Sequence, residues 1–212
     1  DALICCHGTQ VPVGPIEDSD DAAWVQSIQT NLVGTYRIVK ATLPSLRHSQ
    51  DARILLFSGG GAFGPRPNYS AYAASKAGVV AMMEALAGEL PVNVSANCVA
   101  PGFVATEIHA PTLEAGSEIV GWEEYDHAYR HAPDAMGRVL ACVHHLLSPA
   151  TRGLSGRTIS APYDDWPHLS QMTVPIVMDS PAGTRTRHKI TCLEAATRHP
   201  TGVFACPVGS TT

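Results

Sequence analysis

The sequence predicts an α/β fold built on a parallel sheet, and three observations lead there. Short apolar runs alternate with longer segments of helical period from the first residues to about residue 161. The apolar runs have the length and bareness of buried strands. Glycine or proline punctuates the chain after three of them, as turns require.

The elements follow in order. "ALICC" (2–6) reads as a buried strand ending at His7-Gly8. "TQVPVGPIEDSD" (9–20) is a loop in which Ser19 or Asp20 can cap the next helix. Over residues 22–46, Trp24, Ile28, Leu32, Tyr36, Val39 and Leu43 recur every three or four residues, which predicts a long amphipathic helix. "ARILLFS" (52–58) is a second strand, followed by the glycine-rich "GGGAFGPRP" (59–67). A helix is expected over 70–90, a third strand over 92–100 cut off by Pro101-Gly102, a helix over 133–148 with Pro133 in its first turn, and a short strand over 156–161. Residues 103–132 keep no steady period and read as a flap. The tail 162–212 carries "VPIVM" (174–178), read as a strand, and "LEAATRH" (193–199), read as a short helix.

Bulk properties narrow the function. A chain of 212 residues suits one domain with a real core, divided here into residues 1–161 and the tail 162–212. The formal charge of -5 argues against nucleic acid and anionic membrane as partners. No apolar run approaches the ~20 residues of a membrane helix, and the start carries no signal-peptide pattern. Six cysteines (Cys5, Cys6, Cys98, Cys142, Cys192 and Cys206) form no C-x-x-C pair, and a reducing, cytoplasmic setting is expected. A disulfide between the two in the tail stays open.

One pair of residues invites chemistry. Tyr72 and Lys76 stand at i and i+4 among alanines, on one face of the helix over 70–90. A lysine that close to a phenol favours the ionised form.

Four motifs in order then resemble the later two-thirds of the short-chain dehydrogenase/reductase family, across residues 1–161. "NLVG" (31–34) is similar to its N-x-x-G, "YAASK" (72–76) to its Y-x-x-x-K, "NCVAPGFVAT" (97–106) to its N-x-V-x-P-G-x-x-x-T, and "GLSGRTISA" (153–161) to the G-x-x-G-x-x-I entering its last strand. The resemblance implies a doubly wound, Rossmann-like sheet and an NAD(P)-dependent interconversion of carbonyl and alcohol on a small organic substrate. It makes Tyr72 the general acid/base and has Lys76 assist the phenol and bind the nicotinamide ribose. Asn31 would hold a water in a proton relay. Cofactor contacts would come from Cys6, His7 and Gly8 after the first strand, from Tyr72 and Lys76, and from Pro101, Gly102, Val104 and Thr106. Helices 22–46 and 70–90 would pair protomers into a homodimer or homotetramer.

The sequence also departs from the family. The substrate-orienting serine stands thirteen residues before the tyrosine, and that position is Gly59. Ser58, turned by the glycines, is the favoured replacement, with Ser70 or backbone N–H groups as alternatives. "CCHG" (5–8) stands where the family has N-N-A-G. The glycine-rich dinucleotide turn has no counterpart in these residues, so the family's first three strands, which choose between NAD and NADP, are expected to be missing. The strand-like start at Asp1 suggests that something once preceded it.

Two rival functions follow. One is an inactive relative kept as an interaction or regulatory subunit, supported by Gly59 and the missing turn. The other is a nucleotide-sugar epimerase or dehydratase, which also uses Y-x-x-x-K. No metal site is expected. Cys5, Cys6 and His7 alternate across a strand, and His127 with His131 lacks an evident third ligand. "NVS" (93–95) falls inside a strand and reads as inert. Trp122, Tyr125 and Tyr129 are candidates to line a substrate pocket.

Overall fold

A computed structural model describes residues 1–129 and 134–171, with side chains placed for 1–126 and 134–169. Four strands form one parallel sheet in the order β1 (Ala2–Cys5), β2 (Ala52–Phe57), β3 (Val94–Ala100), β4 (Thr158–Ser160). Cys5 pairs with Leu56, Leu56 with Cys98, and Cys98 with Thr158, so one register line crosses the sheet. Parallel neighbours require crossovers, and helices supply them.

The first crossover is a single helical rod with an irregular middle. Helix α1 (Asp21–Ile28) passes through a π-helical turn at Gln29–Val33 into α2 (Gly34–Leu46). Asp20 is the cap, its carboxylate accepting from Ala23 N at 2.7 Å, while the Ser19 hydroxyl donates to Pro15 O. Helix α3 (Ser70–Glu89) connects β2 to β3, and α7 (Ala135–Leu146) precedes β4. Between β3 and α7 lie three short helices, α4 (Ala110–Ala115), α5 (Ser117–Val120) and α6 (Trp122–Tyr129).

Side chains alternate across each strand, and both faces are covered. Ile54, Leu56, Ala96 and Cys98 face Val39 and Leu46 of α2 and Val79, Val80 and Met83 of α3. Leu55, Val99 and Ile159 face Val139, Cys142, Val143 and Leu146 of α7. This is the doubly wound arrangement that the element pattern predicts. The described core extends past residue 161, since Trp166 and Leu169 pack on the second cluster. At β1 the second face is thinner, and Ile4 is 44% exposed.

Element boundaries shift in explicable ways. The third strand begins at Val94 because Val92 and Asn93 form a turn. The Asn93 amide donates to Ser49 O at 2.7 Å and Arg47 O at 3.2 Å there. The last strand shortens to three residues. Pro133, His131, Cys192, Cys206, "VPIVM" and "LEAATRH", with the side chains of His127 and Tyr129, lie outside the described residues.

Candidate active site

All four strands end at the same edge of the sheet, and the loops leaving β1, β2 and β3 meet over the first turns of α3. Ligands of doubly wound sheets bind at this edge. Tyr72 and Lys76 face it from α3, with 5% and 4% of their surface exposed. A helix that buries a phenol and an ammonium one turn apart is not using them for solubility.

Lys76 reaches under the sheet edge, and its Nζ donates to Phe57 O at 3.0 Å. No salt bridge reaches it among the described residues. Burial therefore dominates and pulls its pKa down to about 8, with Cys98 and Cys6 offsetting part of the shift. Gly8 makes this approach possible, since a Cβ there would stand 3.4 Å from Nζ and 3.3 Å from Asn31 Oδ1. His7 occupies the space left by Gly34, its Nε2 3.1 Å from Thr30 O. Cys6 is exposed.

Asn31 sits in the π turn and is fully buried. Its Oδ1 accepts from Thr9 N at 2.8 Å, and its Nδ2 donates to Thr9 O at 2.8 Å and Ser75 Oγ at 2.9 Å. The side chain thus clamps the β1 loop onto α3. The Asn31 carbonyl accepts from the Thr35 hydroxyl at 2.7 Å.

Two expectations require correction. Ser58 does not turn toward the tyrosine: it is buried, and its hydroxyl donates to Val99 O at 3.4 Å. The position facing the phenol is Gly59, where a Cβ would overlap Tyr72 Oη and stand 2.8 Å from Cζ. The phenol fills the space that a serine side chain would need. Nor does the lysine bring the tyrosine's pKa down. Burial raises it, Arg66 and a hydrogen bond from Gln10 pull the other way, and Glu124 adds to the rise. Lys76 Nζ lies 5.9 Å from the Tyr72 ring centroid.

Arg66 and Gln10 escaped the sequence reading. Arg66 lies over the rings of Tyr69 at 4.2 Å and Tyr72 at 5.3 Å, and pairs with Glu124 of α6. Its signal was present in "GPRP", six residues before the tyrosine, where an arginine in a glycine-rich loop is free to reach inward. Gln10 had no local signal, because its partner Thr112 is 102 residues away.

The loop leaving β3 serves more modestly. Gly102 needs its positive φ of 72° and packs on Pro162, Val104 joins the second apolar cluster, and the Thr106 carbonyl accepts from His109 N at 3.1 Å. Pro101 ends β3 at the edge shared with Gly8 and Gly59. Trp122 and Tyr125 stack on each other at 5.9 Å beside a surface hollow shared with Ile119, and Trp122 is 66% exposed.

Known proteins place this arrangement. The family described as short chain dehydrogenase matches residues 1–116, which carry Asn31, Tyr72, Lys76 and the whole β3 loop motif. The chain belongs to the short-chain dehydrogenase family. An uncharacterized short-chain type dehydrogenase/reductase, y4mP of Sinorhizobium fredii, is 34% identical over 120 residues, covering 53% of this chain and 46% of the relative. Dehydrogenase/reductase SDR family member 4 of Sus scrofa is 33% identical over 94 residues, 44% of this chain and 34% of the relative. A short chain dehydrogenase of Shigella flexneri, solved with NADP, superposes with a TM-score of 0.65 at 25% identity, over 76% of this chain and 63% of that one. This short-chain dehydrogenase chain thus spans from a third to a half of the length of these curated relatives.

The site's fit to a nicotinamide ribose can be judged from its donors. An ammonium has three N–H groups, and Lys76 gives one to Phe57 O. Two remain for vicinal hydroxyls, beside a glycine that leaves the approach open.

Proposed function

We propose that residues 1–161 carry the catalytic machinery of an NAD(P)-dependent oxidoreductase that interconverts a carbonyl and an alcohol on a small organic substrate. The observation behind this is the buried Tyr72–Lys76 pair, one helical turn apart at the carboxyl edge of the sheet. The NADP in the related Shigella flexneri structure supports the cofactor class. When bound, the reduced nicotinamide supplies the hydride that reduces the carbonyl carbon.

The chain's own residues handle the proton. Burial keeps the Tyr72 hydroxyl protonated, which is the form needed to donate to a carbonyl oxygen as negative charge grows on it. The Lys76 ammonium holds the ribose hydroxyls, and the Arg66 guanidinium supplies positive charge near the phenolate left behind. In the oxidative direction Tyr72 takes the alcohol proton back. Asn31 fixes the β1 loop, which carries Cys6, His7 and Gly8 toward the cofactor, and its carbonyl in the π turn is the candidate holder of a relay water. Pro101, Gly102, Val104 and Thr106 border the nicotinamide side.

The test is a pair of variants assayed with reduced cofactor and a panel of small ketones and aldehydes. Tyr72→Phe should abolish turnover and keep cofactor binding, read by nicotinamide fluorescence, while Lys76→Ala should damage both. Near-normal turnover of Tyr72→Phe would sink the proposal. Gly59 favours a second reading, an inactive relative retained as an interaction subunit, because no side chain from β2 can orient a carbonyl beside Tyr72. Wild-type protein that binds cofactor but reduces nothing in the panel would select it.

Two further features belong to this reading. Val25, Tyr36 and Ile38 on α1–α2 are 39–53% exposed, and the outer side of α3 is alanine at 74, 81 and 85. These faces suit pairing into a homodimer or homotetramer, and a monodisperse monomer in light scattering would refute it. Free thiols at Cys5, Cys6, Cys98 and Cys142 accord with a cytoplasmic setting. Among the described residues no helix is long and apolar enough to cross a membrane.

A further inference from the structure

Gly59 leaves the end of β2 without a side chain beside Tyr72, and the loop that follows brings a cation there instead. Arg66 Cζ stands 4.2 Å from the ring centroid of Tyr69 and 5.3 Å from that of Tyr72. Its Nη1 lies against Gly60, where a Cβ would come within 2.8 Å. The platform beneath is fixed, since Tyr69 is 1% exposed and its hydroxyl lies 2.8 Å from Thr112 Oγ1.

The counter-charge comes from a distant part of the chain. Arg66 Nη2 donates to Glu124 Oε1 of α6, 58 residues on. The adjacent Glu123 is exposed, whereas Glu124 turns inward onto the arginine. Both side chains are largely buried, at 14% exposure for Arg66 and 28% for Glu124. Such an ion pair does little for stability, because desolvation offsets its attraction. A guanidinium is a planar fork of N–H donors matched to a carboxylate, and this one already holds a carboxylate beside the ring of the proton donor. Glu124 also has somewhere to go. It borders a surface hollow of about 580 Å³ with Val120, Gly121, Trp122 and Glu123.

We propose that Arg66 selects the substrate: its guanidinium binds a carboxylate on the carbonyl compound, so the substrate is a short oxo acid, and Glu124 keeps that seat until the substrate displaces it. The inference rests on Tyr72 as the group that meets the carbonyl. A cation 5.3 Å from the Tyr72 ring suits a carboxylate a few bonds from the carbonyl carbon. A single charged anchor is how a pocket fixes one end of a small ligand. The acid is then held at two points, by Arg66 at its carboxylate and by Tyr72 at its carbonyl oxygen. That provides the orientation that Gly59 cannot provide from β2.

The experiment is calorimetric titration of the full chain with pyruvate, acetoacetate and levulinate, each against its methyl ester. Oxidised cofactor is present throughout, so that no ketone is consumed. At least one acid should bind wild type about tenfold or more tighter than its ester, the worth of a charge-assisted hydrogen bond. Arg66→Met should erase that preference, and Arg66→Lys should restore part of it. Glu124→Gln, which removes the internal competitor, should tighten acid binding several-fold and leave ester binding unchanged. A purely structural ion pair predicts otherwise, since breaking it from either side would weaken acid and ester alike. No acid preference in wild type, or acid binding that fails to tighten in a folded Glu124→Gln protein, overturns the proposal. If Arg66→Met fails to fold, the Glu124→Gln result decides alone. Binding needs no turnover, so the two readings fail separately. An acid preference that follows Arg66, in a protein whose Tyr72→Phe form still reduces that acid, supports the carboxylate seat and refutes the catalytic role of Tyr72. Reduction of neutral ketones with no preference for the acids does the reverse.

Discussion

Replacing Lys76 by methionine should raise the stability of the fold below pH 8 and forfeit that advantage as the pH climbs. The ammonium is 4% exposed, and burial holds its pKa near 8 against an ordinary 10.5. At about 1.36 kcal/mol per pH unit, keeping it charged in the folded state costs about 3 kcal/mol. The sign follows from proton counting. Between pH 8 and 10.5 the unfolded chain still binds the lysine proton and the folded chain does not, so wild-type stability rises with pH across that window. Below pH 8 both states are protonated and the full penalty stands.

Methionine also removes the bond from Nζ to Phe57 O, worth about 1 kcal/mol, and leaves that carbonyl wanting a donor. This offset is independent of pH, so the slope is the informative quantity. Tyr72 and Cys98, both raised by burial and Cys98 to about 12, lower stability at high pH in both proteins; Lys76 holds Cys98 down in part, so its loss adds to the Cys98 cost and to the shift toward wild type. Urea unfolding followed by circular dichroism at pH 7, 8, 9 and 10 should show the difference between Lys76→Met and wild type shifting toward wild type by about 2–3 kcal/mol from pH 8 to pH 10. A constant difference over that range would refute the buried-charge account of Lys76.

Three more expectations concern its neighbours. Gly59→Ala should destabilise by about 1–3 kcal/mol, because its Cβ meets the Tyr72 hydroxyl, and should cost less in a Tyr72→Phe background; equal costs in a double-mutant cycle would show that the overlap is not with the phenol. Asn31→Ala leaves Thr9 N and O without their partner and should cost about 2–4 kcal/mol in chemical denaturation, against well under 1 kcal/mol if water replaces the amide freely. Arg66→Met should raise the Tyr72 midpoint, since the guanidinium holds it down, while Glu124→Gln should lower it. The two variants moving the tyrosinate titration in the same direction would mean that the ion pair acts through packing rather than charge.

Much of this was legible because the relevant interactions are local. The alternation of apolar runs with helical periods fixes a parallel sheet, and β2 was placed to within one residue, since "ILL" can only be covered on both faces. Tyr72 and Lys76 share a helix face by arithmetic alone. What escaped depends on which way a backbone turns after its last paired residue. Ser58 and Gly59 are adjacent, and only the pairing of Ser58 N with Val99 O decides that the serine looks at β3 and the glycine at the phenol. The region 103–129 resolves into short helices pinned by contacts to distant loops, Thr112 to Gln10 and Asn68 to Ile119 O at 2.7 Å. No period in the segment encodes them.

The π turn shows why the site should be treated as one object. Gln29–Val33 form a π-helical turn in the middle of the α1–α2 rod, and the buried Asn31 sits in it. The wider turn is the kind of interruption that recurs at functional sites. Asn31 uses all of its amide on Thr9 and Ser75, so one residue sets both the loop that presents Gly8 and Gln10 and the helix that presents Tyr72 and Lys76. Lys76 and Gln10 then share a single anchor. Loosening Asn31 should disturb the ammonium and the phenol together, whereas loosening Thr112, which holds Gln10 and Tyr69, should leave the ammonium undisturbed. That asymmetry separates a connected polar network from a set of independent contacts.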